Sequence, residues 1–159
     1  MQRLEIIGFL IGSWRVERLI EDHRFGIRGT FDGTATFTEF GRADNSSFER
    51  RARFDETGEM RFGAYRGPSR RSLDYVQKEG AAAQIYFTDG RPIIDLNLSS
   101  GTWRSTRLCG HDRYEINFSV KSDDLLEERW RVKGSNKDYE ASATLTRNST
   151  PTPPTVANP

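Results

Sequence analysis

A chain of 159 residues with a formal net charge of +1 is sized for one domain and carries no overall basic field to hold nucleic acid. Its single cysteine, Cys109, excludes an internal disulfide, and no apolar run approaches the ~20 residues of a membrane-spanning helix. Apolar residues make up 35% and charged residues 30%, so a core must lean on the 10 Phe, 5 Tyr and 3 Trp.

The basic residues are 20 Arg against 4 Lys. A guanidinium is a planar fork that matches carboxylate or phosphate, although solvated strand faces also use arginine. The lone thiol fits a reducing compartment, and the expected location is cytoplasmic, without a membrane partner. The run IIGFLIG at 6–12 is short, follows Glu5 and precedes Trp14-Arg15-Val16-Glu17 where a cleavage site would need small residues. It therefore reads as part of the fold and not as a signal peptide.

Helical spacing occurs once. Leu4, Ile7 and Ile11 recur at three and four, enough for one or two turns before Gly12. From there the period is two. Trp14, Val16 and Ile20 alternate with Arg15, Glu17 and Glu21; Phe31, Ala35 and Phe37 alternate with threonines; Phe48, Ala52 and Phe54 sit among arginines. Ile85 and Phe87 lead into Asp89-Gly90, a hairpin signal because both residues tolerate positive φ, and Ile94, Leu96 and Leu98 follow. Tyr114, Ile116, Phe118 and Val120 alternate most cleanly, before Trp130 and Val132 and then Tyr139, Ala141, Ala143 and Leu145. Turn chemistry separates these runs, as at Thr57-Gly58, Gly67-Pro68 and Gly134-Ser135-Asn136.

The pattern predicts an all-β fold, an antiparallel up-and-down barrel of about 8–10 strands with a short N-terminal helix, since closure removes exposed strand edges. The barrel is expected over residues 2–147. The tail at 148–159, with four prolines and almost nothing apolar, is expected to be disordered.

The stretch Phe9-Leu10-Ile11-Gly12-Ser13-Trp14, a short helix running into the first strand, resembles the opening of a lipocalin-like (calycin) barrel. The resemblance widens with Gly33-Thr34-Ala35-Thr36-Phe37, Phe87-x-Asp-Gly-Arg-Pro92, Cys109-Gly110-His111-Asp112-x-Tyr114 and Trp130-Arg131-Val132-x-Gly134-x-x-Lys137-Asp138-Tyr139. Over most of residues 9–147 the chain is similar to an uncharacterised family of small lipocalin-like proteins found mainly in bacteria and some lower eukaryotes. The resemblance implies barrel closure by Trp14, with an Arg or Lys of the last strand over its indole; Arg147 is the candidate. It implies no activity.

Function must then come from charged or polar groups at inward parity. Arg18 shares a face with Trp14 and Val16, Arg50 with Ala52 and Phe54, and Glu128 with Trp130 and Val132. An inward charge must be paired or must meet a ligand. Tyr65, Tyr75 and Tyr114 are further candidates to line a pocket, each offering one hydroxyl on an apolar body. The expected ligand-binding set is therefore Arg18, Arg50, Tyr65, Tyr75, Tyr114, Glu128 and Trp130. Cys109-Gly110-His111-Asp112 reads as a hairpin turn rather than a catalytic set, and Lys137-Asp138 as a turn with an ion pair at the rim. Neither His23 nor His111 lies on an apolar strand face, so haem is not expected, and Cys109, His111 and Asp112 fall short of a closed zinc site, so neither a metal nor a cofactor is expected.

These readings favour intracellular binding of a small hydrophobic molecule inside the barrel, with a carboxylate as the group that inward arginines would meet. The alternative is a cofactor-free isomerase, cyclase or hydrolase acting on a small natural product, with Glu128 doing acid–base work after burial raises its pKa. A phycobilin lyase or chromophore chaperone would share the barrel, but no motif here argues for one. Aromatics that alternate inward form no stacking platform for nucleic acid.

Overall fold

In a computed structural model, residues 4–41 and 49–148 are described, apart from the Cys109 side chain. The proline-rich tail beyond 148 and Phe48, which sequence parity placed in the core, lie outside those residues. One helix, α1 (Ile6–Leu10), precedes ten strands: β1 (Gly12–Asp22), β2 (Ile27–Glu39), β3 (Arg51–Phe62), β4 (Tyr65–Glu79), β5 (Ala82–Phe87), β6 (Pro92–Asn97), β7 (Thr102–Cys109), β8 (Asp112–Ser122), β9 (Leu125–Lys133) and β10 (Asp138–Arg147).

All ten strands belong to one antiparallel sheet in the order β6-β5-β4-β3-β2-β1-β10-β9-β8-β7. The first and last strands are neighbours, so the sheet's two edges, β6 and β7, fall next to each other in the chain. The sheet curls until these edges nearly meet, giving a nearly closed barrel. The Trp103 indole N–H on β7 donates to the Asp95 carbonyl on β6 across that seam at 2.8 Å.

Strong curvature needs small residues where strands press together. Gly33 on β2 faces Gly58 on β3. A Cβ at Gly33 would come within 2.3 Å of the Thr57 carbonyl, and one at Gly58 within 2.2 Å of the Asp32 carbonyl. The Phe31 ring covers both glycines, filling the space their missing side chains leave.

One end of the barrel is plugged by α1. Ile6, Ile7 and Leu10 are fully buried there. The Ile6 amide donates to the Gly80 carbonyl and the Ile7 amide to Gln77 Oε1, so two of the helix's free N–H groups find partners in β4 and its turn. Gly12, at φ 124°, turns the chain from helix to strand in a conformation that side chains rarely adopt. Trp14 is completely buried just beyond, and its indole N–H donates to the Leu10 carbonyl at 2.8 Å.

The register of β1 and β10 puts Arg147 directly opposite Trp14. Its guanidinium carbon lies 4.2 Å from the indole centroid and 5.6 Å from the Phe9 ring. The same guanidinium donates to the Phe9 and Ile11 carbonyls at the end of α1 and to the Asp123 carbonyl in the β8–β9 turn. One side chain thus joins the helix, the first strand and the last hairpin.

Replacing Arg147 by Met keeps the stem and removes these donors. The expected loss of unfolding free energy is about 2–4 kcal/mol, the combined scale of charge-assisted hydrogen bonds and a desolvated cation–π contact. Urea denaturation measures it, and a change below about 0.5 kcal/mol would show that the plug does not depend on this contact.

Candidate functional site

The barrel interior changes character along its axis. Near α1 the inward positions are apolar and buried, as at Val16, Phe37, Phe54, Ile85 and Leu145. At the opposite end Ile20, Met60, Arg71, Tyr114, Trp130 and Tyr139, all at inward parity, are half-exposed. Water therefore reaches the interior from that end. The wall is lowest at β5 and β6, which have six residues each. The pairing of β4 with β5 ends at Leu73–Phe87, so residues 65–72 pair with β3 alone.

Between the two zones lies a layer of four charges. Arg18 on β1 and Glu56 on β3 form a two-pronged ion pair across the lumen, with both guanidinium nitrogens donating, at 2.7 and 2.6 Å. Their side chains are 8% and 4% exposed. Arg18 lies opposite Ala143 on β10, and Ala143 opposite Glu128 on β9. The small alanine leaves room for Arg18 and Glu128 to approach to 3.7 Å. Arg71 lies opposite Glu56 on β4 and approaches it to 3.7 Å and Glu128 to 4.0 Å. Phe31 and Phe54 support the two guanidinium groups at 5.2 and 5.4 Å.

The carboxylates are held unequally. Glu56 takes both short bonds from Arg18, whereas Glu128 has no arginine nitrogen closer than 3.7 Å. Burial pushes the Glu128 carboxyl up from the usual carboxylate range. Arg18 and Arg71 oppose that shift without overcoming it; Glu56 adds to it, and the Trp130 indole N–H gives a weak opposing pull. Burial likewise pushes the Tyr75 phenol up, with Glu128 adding to the shift. Burial alone would push the Arg18 guanidinium down, but its hydrogen bonds to Glu56 and the two carboxylate charges raise it above its ordinary value.

Two donors in this layer are left over. Arg71 Nε and Trp130 Nε1 are buried and have no well-formed hydrogen bond. Buried donors in a folded protein nearly always have acceptors, so an unpaired group calls for a water, an ion or a ligand.

Of the residues singled out from sequence, Arg18, Tyr75, Glu128 and Trp130 come together here. Arg50 does not. It has inward parity, but at the plugged end, where it pairs with Glu39 at 2.9 Å and Glu5 at 3.2 Å beside α1. Tyr65 also lies elsewhere, because it flanks the β3–β4 turn, is 51% exposed and donates to the Pro68 carbonyl. Tyr114 faces inward near the open rim, close enough to Lys137 to raise the lysine's pKa. Lys137 pairs with Asp112 at 3.4 Å and Asp138 with Arg131 at 2.6 Å, so the turn carries ion pairs at the rim, each to a partner outside the turn. Cys109 and Asp112 are paired across the turn at Gly110-His111.

Sequence reasoning missed Glu56 and Arg71. The available signal was parity alone: Glu56 continues the Ala52, Phe54 face, and Arg71 precedes Leu73 and Tyr75 on theirs. Glu21, His23 and Glu140 at the open rim bring three possible metal-ligand atoms within 4.8 Å of one another. Each carboxylate there already faces an arginine, Glu21 with Arg28 at 3.7 Å and Glu140 with Arg131 at 3.9 Å.

The chain belongs to the family of unknown function DUF6314, which it matches over residues 10–147. It is similar to the S-type phycobiliprotein lyase from Guillardia theta, with a TM-score of 0.63 at 15% identity, over 91% of each chain. Looser likenesses include a redesigned β-barrel, with a TM-score of 0.47 at 13% identity over 94% of this chain and 100% of that one. A designed fluorescence-activating β-barrel gives a TM-score of 0.43 at 16% identity, over 91% and 99% of the two chains. At such identities the likeness is one of fold. No curated protein matches the sequence. No helix among the described residues is long and apolar enough to cross a membrane.

The two carboxylates are expected to respond oppositely to neutralisation. Glu56→Gln leaves Arg18 buried without its fork partner and lowers unfolding free energy by about 3–5 kcal/mol. Glu128, whose carboxyl is raised in the fold, contributes stability that is full below its unfolded value and lost as pH rises through its folded value. Glu128→Gln therefore flattens that decline and is at least as stable as the parent at neutral pH. Urea denaturation from about pH 4.5 to 8 separates the two; equal destabilisation by both changes would mean that Glu128 is held as an anion.

Proposed function

We propose that the protein binds a small hydrophobic molecule bearing a carboxylate, with the apolar part inside the barrel and the carboxylate at the four-charge layer. The observation that carries this reading is the pair of buried donors without a well-formed hydrogen bond, Arg71 Nε and Trp130 Nε1, both at inward parity and both beside Glu128. Arg71 is suited to anchor an anion. Its side chain is 39% exposed, it sits where the wall is low, and its carboxylate neighbours are too distant for hydrogen bonds. Arg18, by contrast, is already engaged by Glu56. The half-exposed Ile20, Met60, Tyr114 and Trp130 supply an apolar approach to the layer.

A second reading has one observation in its favour. A buried carboxyl with a raised pKa, beside a phenol, is the equipment of a general acid or base. On that reading the barrel is a cofactor-free isomerase, cyclase or hydrolase, and Glu128→Gln would cut turnover about 10²–10⁴-fold.

Binding is tested with 1-naphthylacetate and decanoate against their primary amides, followed by tryptophan fluorescence and calorimetry. The carboxylates are expected to bind at least about tenfold more tightly than the amides, and Arg71→Met to remove that preference, as the loss of a charge-assisted hydrogen bond would. Equal affinity for acid and amide, or an unchanged preference in Arg71→Met, would overturn the proposal.

A further inference from the structure

Once Glu128 has given up its proton, the four-charge layer is balanced: two guanidinium groups, each within 4.0 Å of both carboxylates. A ligand carboxylate arriving at Arg71 makes a third anion for two cations. In a layer where Arg18, Glu56 and Glu128 are each no more than 8% exposed, an uncompensated charge is costly, and the least expensive remedy is a proton.

The geometry decides where that proton goes. Glu56 cannot accept it without breaking its two-pronged pair with Arg18, since the protonated oxygen gives up its short bond and the other oxygen loses its charge. Glu128 has no such bond to lose, and its contacts with Arg18 and Arg71 are at 3.7 and 4.0 Å. We propose that the barrel takes up a weak organic acid as its carboxylate together with one proton, and that the proton resides on a carboxylate oxygen of Glu128. The inference rests on the carboxylate-binding reading above.

The groups facing Glu128 are few. They are Arg18 on β1, Glu56 on β3, Arg71 and Tyr75 on β4, and the indole of Trp130 on its own strand. The positions paired with Glu128 on the flanking strands, Ala143 and Phe118, carry no charge. Tyr75 supplies no competing site at neutral pH, because it is already protonated and burial pushes its pKa further up. The proton comes from solvent through the open end. Once protonated, Glu128 no longer competes for Arg71, and its hydroxyl becomes a donor to a ligand oxygen. The site therefore selects weak acids over neutral analogues and over ligands with two charges in the head group.

Calorimetric titration of the full chain with 1-naphthylacetate, repeated in buffers of different ionisation enthalpy from about pH 5 to 9, counts the protons exchanged. The expected result is an uptake that peaks near one proton, with affinity falling about tenfold per pH unit across the same interval. Glu128→Gln should abolish the uptake and leave affinity level with pH. An infrared difference spectrum of the parent should gain a protonated-carboxyl band on ligand addition, which locates the proton without relying on the variant. Carboxylate-selective binding with no proton uptake at any pH, or uptake that persists in Glu128→Gln, would overturn this inference and leave the binding proposal standing. Absence of carboxylate-selective binding would overturn both.

Discussion

The fork of Arg18 on Glu56 is the interaction around which the barrel is organised. It runs across the lumen from β1 to β3, two strands separated by β2, and its two bonds are the shortest in the four-charge layer. Two charges so deeply buried persist only because each satisfies the other, and the two-pronged geometry lets a planar cation meet a planar anion with both bonds made. The surrounding residues accommodate this bar. Gly33 and Gly58 let β2 and β3 coil tightly, Phe31 fills the space above them, and its ring supports the Arg18 guanidinium. Ala143 is small enough to let Glu128 reach the same cation.

That bar also separates two kinds of interior. Toward α1 the side chains are apolar, and the plug is sealed by the contact of Arg147 with Trp14. Toward the other end the inward positions admit water, and two buried donors without well-formed hydrogen bonds, Arg71 Nε and Trp130 Nε1, lie beside the ion pair. The division gives the molecule one place where an amphiphilic guest could satisfy both its ends. Its acidic group would meet cations in a poorly solvated layer, and its apolar part would lie against half-covered aromatic and aliphatic side chains. The inequality between Glu56 and Glu128 follows from the same geometry, because a single arginine can offer its fork to only one carboxylate.

Much of the architecture was legible in the sequence, because strand parity is a local property. The barrel of about 8–10 strands and the short helix before Gly12 follow from alternation and turn chemistry, but Thr57-Gly58 and Gly67-Pro68, read as turns, lie inside β3 and β4, where Gly58 serves strand coiling and not chain reversal. Parity also picked out Arg18, Glu128 and Trp130. It failed at Arg50, and the reason is informative. Parity gives the face of a strand but not its height along the barrel, and Arg50 sits at the level of α1, where Glu39 and Glu5 cover it. Tyr65, put forward for its residue type and not by parity, lies exposed beside the β3–β4 turn. Glu56 and Arg71 were available to the same reasoning, but each adjoins a dipeptide read as a turn or loop, Thr57-Gly58 after Glu56 and Gly67-Pro68 before Arg71, so the alternation was not carried through to them.

The sequence by itself therefore determined the kind of elements and, for the strands with clear alternation, which face turns inward, because hydrophobic alternation and turn chemistry act over a few residues. Only the tertiary structure decided which inward charges share a layer. Arg18 and Glu56 are 38 residues apart, and Arg18 and Glu128 lie on strands joined through β10. Their meeting depends on strand register and on the curvature of the closed sheet, which are set by contacts between distant segments and leave no local pattern to read.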